Sequence, residues 1–381
     1  MARAVFTAVL LSILYLANVA INDLSRANGL DDVIQAYGRA EPVPFTSLKP
    51  LDGLLTTLVR LFQPVLAGND PALTLFCVFM VGQLLAVHVV VQVEGLRAGN
   101  RGKLISYSTT FWGLGWQIFT IGIALPVYFL VYLYTSPIPA ALGSDPFAAT
   151  AAAAISVGPA QARALPGSLA IGAVLPTLLA ALPSPAVIAP RSQEMALAAW
   201  QAFPLWSGIA QAILSRLGGS SGASGAVPRT GKHATAAAAS GLGDLRRIYA
   251  LMVPAAGLVF YGVLAYVFWA SGWAADPAHE TLRAVFVPPS PFSTAKMASV
   301  ERGLLAMLQW DMYCATLATW TWIAYLSYQA KGAGRVVMDL GRLLAWTAVV
   351  GPGGAALAVV WGRDLEILQS GGRGGEKRKT G

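Results

Sequence analysis

The chain is 381 residues long, 56% hydrophobic and only 12% charged, with a mean hydropathy of +0.59. Soluble domains carry about 25% charged residues, so this composition excludes an ordinary water-soluble enzyme. The formal net charge is +8, but the basic residues fall in loops and the tail, which argues against a nucleic-acid partner and for an anionic bilayer surface.

Taken in order, residues 4–21 form an apolar run behind Arg3. It is longer than the roughly 7–15 residues of a signal-peptide core, which predicts an uncleaved first span. Residues 22–50 are polar, and 51–66 read as an amphipathic interfacial helix. Residues 71–93 predict a second span, followed by a loop with Arg97, Arg101 and Lys103 that the positive-inside rule assigns to the cytosol. Residues 105–134 predict a third span, kinked near Pro126. An Ala/Pro-rich loop follows, then two weaker spans at 165–182 and 196–214. Residues 217–243 are Gly/Ser/Ala-rich and predict a flexible loop. A further span covers 245–273, a proline-rich loop 274–302, and two last spans 303–328 and 336–361. The expected fold is an all-α polytopic membrane bundle of about seven to eight transmembrane helices in one membrane domain. A polar basic tail is expected over 364–381. Its Lys377-Arg378-Lys379-Thr380-Gly381 ending resembles a retrieval signal to the endoplasmic reticulum.

Two acids stand out. Asp311 lies about two turns inside an apolar span, where a carboxylate costs about 2.5–3.5 kcal/mol on insertion scales and therefore marks a candidate functional site. Glu94 ends the second predicted span, and Gln83 shares its helical face. An acid held in an apolar pocket can act as a proton donor. Both acids also have plainer readings: Glu94 as an interfacial partner of Arg97 or Arg101, and Asp311 as a hydrogen bond between helices. Eleven tryptophans are present, and Trp112, Trp116 and Trp310 lie inside apolar sequence. Aromatic faces attract cations, so an acid amid such rings suits carbocation chemistry. Asp31-Asp32 lacks the third acid of a DDxxD magnesium site, and the three histidines have no metal-ligand spacing. No nucleotide or cofactor motif is present, so no cofactor and no metal are expected.

Two stretches carry a resemblance: Glu94-Gly-Leu-Arg-Ala-Gly-Asn-Arg leading into Thr110-Phe-Trp-Gly-Leu-Gly-Trp-Gln117 and Pro126-Val-Tyr128, and Leu308-Gln309-Trp310-Asp311. Together they resemble the fungal membrane-bound terpene cyclases of meroterpenoid and indole-diterpene pathways, the ascochlorin and ascofuranone type, over about residues 70–360. The resemblance implies an acid-initiated, metal-free cyclisation of a lipophilic prenylated substrate at an epoxide or olefin. It implies catalytic roles for Asp311 and Glu94, and a substrate pocket lined by Trp112, Trp116, Gln117, Tyr128, Gln309, Trp310 and Tyr313. It also implies association with other pathway enzymes. A transporter or a pathway scaffold is the alternative, since intramembrane acids and proline-broken helices suit transport as well. The absence of an internal repeat counts against transport.

Overall fold

Long apolar segments close their backbone hydrogen bonds within helices, because lipid offers no partner to an open N–H or C=O. The computed structural model describes residues 1–218 and 232–377, and every regular element among them is helical. Helix α1 (Ala2–Ala17) continues through a π turn into α2 (Leu24–Asn28), giving one apolar run of 27 residues. Gly29, at φ 93°, supplies the left-handed turn into α3 (Leu30–Arg39), a conformation glycine adopts without steric cost. Helix α4 (Lys49–Ala67) is the amphipathic segment expected at 51–66. Helix α5 (Pro71–Leu96) begins with Pro71 in its first turn, and the Asp70 carboxylate caps it by accepting the amides of Ala72 and Leu73.

Next come two short 3-10 turns and a π turn (Ser108–Trp112), then α6 (Gly113–Phe119), α7 (Ile121–Thr135) and α8 (Ile138–Ser144). The expected single span at 105–134 is therefore broken. Thr120 has φ 64°, which ends α6 and restarts the chain as α7. Helices α9 (Ala149–Ile155), α10 (Pro159–Leu169) and α11 (Leu175–Ala180) lie along one apolar stretch. The span expected at 196–214 is also divided, into α12 (Pro190–Trp200) and α13 (Phe203–Leu217), with Pro204 in the first turn of α13.

Helix α14 is Lys232–Ala270. Within the expected 217–243 loop, residues 219–231 lie outside the described residues, while 232–243 is helical backbone. The proline-rich stretch 274–302 contains a helix after all, α15 (Ala275–Phe286), because Pro277 falls in its first turn, where no amide donor is needed. Element α16 (Val300–Lys377) is interrupted at Lys331, Gly332 and Gly351. Ser327 bonds Asp339 across the first break, and Lys331 pairs with Glu366 across both. The element therefore folds back on itself twice, and the expected single span at 336–361 is broken at Gly351. Residues 378–381, most of the retrieval-like ending, lie outside the described residues.

The fold is thus an all-α membrane bundle, as its composition indicates. Among the described residues, five helices are long and apolar enough to cross a membrane, or six if the bent α7–α8 pair is one span. That is fewer than the seven to eight expected, because the span expected at 196–214 is divided near Pro204 and the two expected at 303–328 and 336–361 fall within α16, which counts once although it folds back on itself.

Helix α5 is the axis. It is apolar on every face and packs on α14, α15 and α16. Gln83 is fully buried; its amide donates to the Ala256 carbonyl and accepts from the amides of Gly353 and Gly354. A Cβ on Gly353 would stand 2.2 Å from the Gln83 carbonyl oxygen, so the α5–α16 approach requires glycine there. Gly353→Ala is expected to cost about 1–3 kcal/mol, as overpacking does, and to lower the thermal midpoint in detergent.

Candidate functional site

The last turn of α5 carries Glu94, and Arg97 follows where the backbone leaves the helix at ψ 140°. Three residues apart, the two side chains meet: Arg97 Nε donates to Glu94 Oε1 at 2.7 Å. From the end of α16, Arg363 Nη2 donates to the same oxygen at 2.8 Å. Tyr132 of α7 donates its hydroxyl to Glu94 Oε2 at 2.8 Å. Arg97 continues outward, with Nη1 on the Ile155 carbonyl at 2.6 Å and Nη2 on both carboxylate oxygens of Asp364 at 3.0 and 2.9 Å. Tyr249 of α14 donates to Asp364 Oδ2 at 2.8 Å. Glu94, Arg97 and Asp364 are fully buried. Two carboxylates and two guanidiniums thus form one neutral, hydrogen-bonded centre, the condition under which charges survive burial.

Aromatic rings enclose this centre. Trp322 stacks on Phe129 at 5.1 Å and meets Tyr132 edge-on at 5.5 Å. The Arg363 guanidinium lies 5.8 Å over the Trp322 ring. Tyr128, one turn before Tyr132, meets Trp112 at 5.3 Å. A small cleft of about 30 Å³ adjoins Arg363, lined by Ile323, Leu326, Ser327, Val359 and Glu366; it has room for a water or two.

The residues expected around Asp311 occupy a different region. Asp311 Oδ1 accepts the Gly122 amide at 2.6 Å and so caps the start of α7 beside Thr120. Gln309 donates to the carbonyls of Ala284 and Val285, Trp310 to that of Pro289, and Tyr313 to that of Phe286. These four side chains hold the end of α15 and the start of α7. Gly122 and Tyr132 are ten residues apart on α7, or about 15 Å. Of the expected site residues, the structure gathers Glu94, Trp112 and Tyr128 at one end of α7 and Asp311 with its neighbours at the other. Trp116 packs on His88 at 5.7 Å, and Gln117 is half-buried.

The sequence reading did not single out Asp364, Arg363, Tyr132 or Tyr249, and it took Arg97 as a loop residue. Asp364 was assigned to the tail. The available signal was its setting: Leu365, Ile367 and Leu368 follow it, and apolar residues precede it up to Trp361, and a charge within largely apolar sequence marks a candidate site. Among the described residues, no three His, Cys, Asp or Glu side chains gather as metal ligands.

A helical membrane bundle with a buried, internally neutralised acid–guanidinium centre and an aromatic wall is the class of protein these observations define. The CtvD domain model matches residues 6–368, and the chain belongs to that family. The terpene cyclase ascI of Acremonium egyptiacum is 29% identical over 366 residues, covering 93% of this chain and 87% of its own. The terpene cyclase penA of Penicillium crustosum is 25% identical over 374 residues, covering 92% and 94%. An FAD-dependent monooxygenase, verC1 of Penicillium polonicum, is 26% identical over 272 residues, covering 70% of this chain but 29% of its own. No solved structure matches this chain.

Proposed function

We propose that the protein is a membrane-bound terpene cyclase of fungal secondary metabolism. It protonates an epoxide or olefin of a prenylated, meroterpenoid substrate and cyclises it without a metal. The observation that carries this reading is the Glu94–Tyr132 hydrogen bond, set against two guanidiniums and a second carboxylate beneath a wall of aromatic rings. In the reactive state Glu94 carries the proton and donates it to the Tyr132 oxygen, the reverse of the bond in the charged centre. Tyr132 gives its hydroxyl proton to the substrate oxygen or olefin and takes the one from Glu94. Arg97 and Arg363 hold the carboxylate left behind, so charge is balanced once the proton has gone. Trp322, Phe129, Tyr128 and Trp112 offer ring faces to the travelling cation. The cation closes its rings and loses a proton, which recharges the centre. The product is an isomer of the substrate.

The family relatives named terpene cyclase support the reaction class. The monooxygenase that carries a segment like this chain supports an oxygenated, epoxide-bearing substrate and cooperation with other pathway enzymes.

The test uses yeast microsomes holding the full chain and an epoxyfarnesyl phenol. The expected result is a cyclic product of unchanged mass. Failure to convert either the epoxide or the parent olefin would overturn the reading. Asp311→Asn separates the two acids. Asparagine Oδ1 can still accept the Gly122 amide, so cyclisation is expected to stay within about tenfold of wild type. Loss comparable to that of a general acid, about 10²–10⁴-fold, would move the proton donor to Asp311.

A further inference from the structure

A bundle that spans a bilayer has two ends, and the basic residues at each decide which face of the membrane it meets. Helix α5 runs through the middle of this one, so each loop belongs to its Asp70 end or its Leu96 end by what it is fastened to. Arg101 and Lys103 follow the Leu96 end directly. The Ala98 amide donates to the Ser156 carbonyl, which brings the start of α10, with Arg163, to the same end. Arg163 reaches the Gly218 carbonyl at 3.5 Å and Asp244 at 3.9 Å, so the end of α13 and residues 243–247 of α14 lie there too. Lys331 and Arg335 join them through Glu366, two residues past Asp364.

The two ends differ in charge. At the Asp70 end the signs are mixed: Lys49 and Lys296 are exposed, and so are Glu41, Asp276 and Glu280. At the Leu96 end the exposed Arg101, Lys103, Arg216 and Arg246 have no carboxylate partner among the described residues, and Arg163 and Arg247 share the single carboxylate of Asp244. In sequence these bases fall in separate loops that strictly alternating spans would divide between the two faces. The reversal at Thr120 is one reason they gather on one: α7 brings the chain back to the end it left at Lys103, where Tyr132 meets Glu94.

Arg163, Arg216 and Arg247 come from three adjoining helices, with α10 packed against both α13 and α14. Arg216 stands one turn past Ile213, and Arg247 one turn before Leu251. Ile209 and Ile213 on α13, and Leu251 and Leu258 on α14, are exposed apolar side chains. The guanidiniums therefore sit where apolar surface gives way to polar, at the depth of lipid headgroups, and their stems can lie along the apolar side. Three guanidiniums beside one carboxylate leave an excess of positive charge. The guanidinium fork matches a phosphate bidentately, and basic pockets between membrane helices suit anionic headgroups on the cytosolic side. A headgroup of zero net charge does not balance the excess.

We propose that the Leu96 end of the bundle is its cytosolic face, and that Arg163, Arg216 and Arg247 form a site on it for the phosphate headgroup of an anionic phospholipid. The lipid ties the ends of α10, α13 and α14 together by balancing charges that the protein leaves unbalanced. The same orientation sets Glu94, Arg97 and Asp364 beneath the cytosolic leaflet. None of this rests on the cyclase reading.

In the test, the purified full chain is mixed with vesicles of equal parts phosphatidylcholine and phosphatidylserine and recaptured, and native mass spectrometry counts the lipids it retains. Phosphatidylserine is expected to be retained at least about fivefold over phosphatidylcholine, the factor that one basic residue near an anionic surface is worth. In Arg163→Gln/Arg216→Gln/Arg247→Gln the ratio is expected to fall towards one, with the thermal midpoint in phosphatidylcholine unchanged. In Lys49→Gln/Lys296→Gln, at the other end, the ratio is expected to stay as in wild type. Equal retention of both lipids by wild type would overturn the site without recourse to any variant, and so would a triple variant that keeps the preference. Sidedness is read in sealed yeast microsomes on a Cys77→Ala/Cys314→Ala background. A membrane-impermeant maleimide is expected to label Lys103→Cys in intact microsomes and Glu41→Cys only after detergent. The reverse pattern would overturn the cytosolic assignment.

Discussion

Glu94→Gln is expected to lower cyclisation by about 10³-fold, within the range for loss of a general acid, while the protein still accumulates in membranes. Glutamine has nearly the volume of glutamate, and its carbonyl can take the Arg97 and Arg363 bonds that Glu94 Oε1 takes. What it cannot do is carry and release the proton across from Tyr132. Substrate consumption by microsomes normalised to protein level measures the effect. Tyr132→Phe is expected to fall in the same direction, since the hydroxyl bonds Glu94 and is the link to substrate in the proposed reaction. Asp364→Asn leaves the Arg97 and Tyr249 contacts but removes one negative charge from the balanced set. Full turnover by Glu94→Gln would remove Glu94 from the reaction.

Arg97→Met is expected to have the largest effect on folding. Arg97 is fully buried and its three nitrogens serve three different acceptors: Glu94, the Ile155 carbonyl and Asp364. Its removal leaves two buried carboxylates opposite one remaining guanidinium. Breaking a buried ion pair by removing one partner costs about 3–5 kcal/mol, a large share of the stability of most folded domains. Arg97→Lys is not expected to rescue it, because one ammonium cannot reproduce the guanidinium fork. Size-exclusion profiles and thermal midpoints of detergent-solubilised protein measure this. A monodisperse Arg97→Met protein with an unchanged midpoint would show that the centre does not hold the bundle together.

The membrane bundle was legible from composition, because 12% charge over 381 residues leaves no water-soluble alternative. Glu94, Trp112 and Tyr128 were singled out from motif and resemblance, and the fold brings them near one another. Pairing of Glu94 with Arg97 was among the readings; its contact with Arg363, and through Arg97 with Asp364, was not. A linear reading weighs each charge against its immediate neighbours, and Asp364 follows Arg363 directly, so the two look like a solvated pair opening a basic tail. Only the fold shows them turned inward onto α5. The surroundings of Asp311 were equally hidden. An acid inside a span is costly wherever it stands, and the sequence cannot say whether a substrate or a helix end receives it. Here the free Gly122 amide at the start of α7 does so, and that amide is free because the chain restarts at Thr120, a break a hydropathy profile does not register. Helix α15 was hidden by the prolines around it, although a proline in a first turn is compatible with helix.

The composition of the buried centre also bears on how the chain enters the bilayer. Glu94 and Arg97 lie three residues apart, and Arg363 and Asp364 are adjacent. Each segment therefore carries one acid and one base of its own and can cross into the lipid as a self-compensated dipole, sparing it the cost of an isolated charge at depth. The pairs meet only after more than two-thirds of the chain has been made between them, and then add partners: Arg97 keeps Glu94 and takes Asp364, and Arg363 keeps Asp364 and takes Glu94. The four residues of the proposed chemistry thus also bear on how the two segments enter the bilayer.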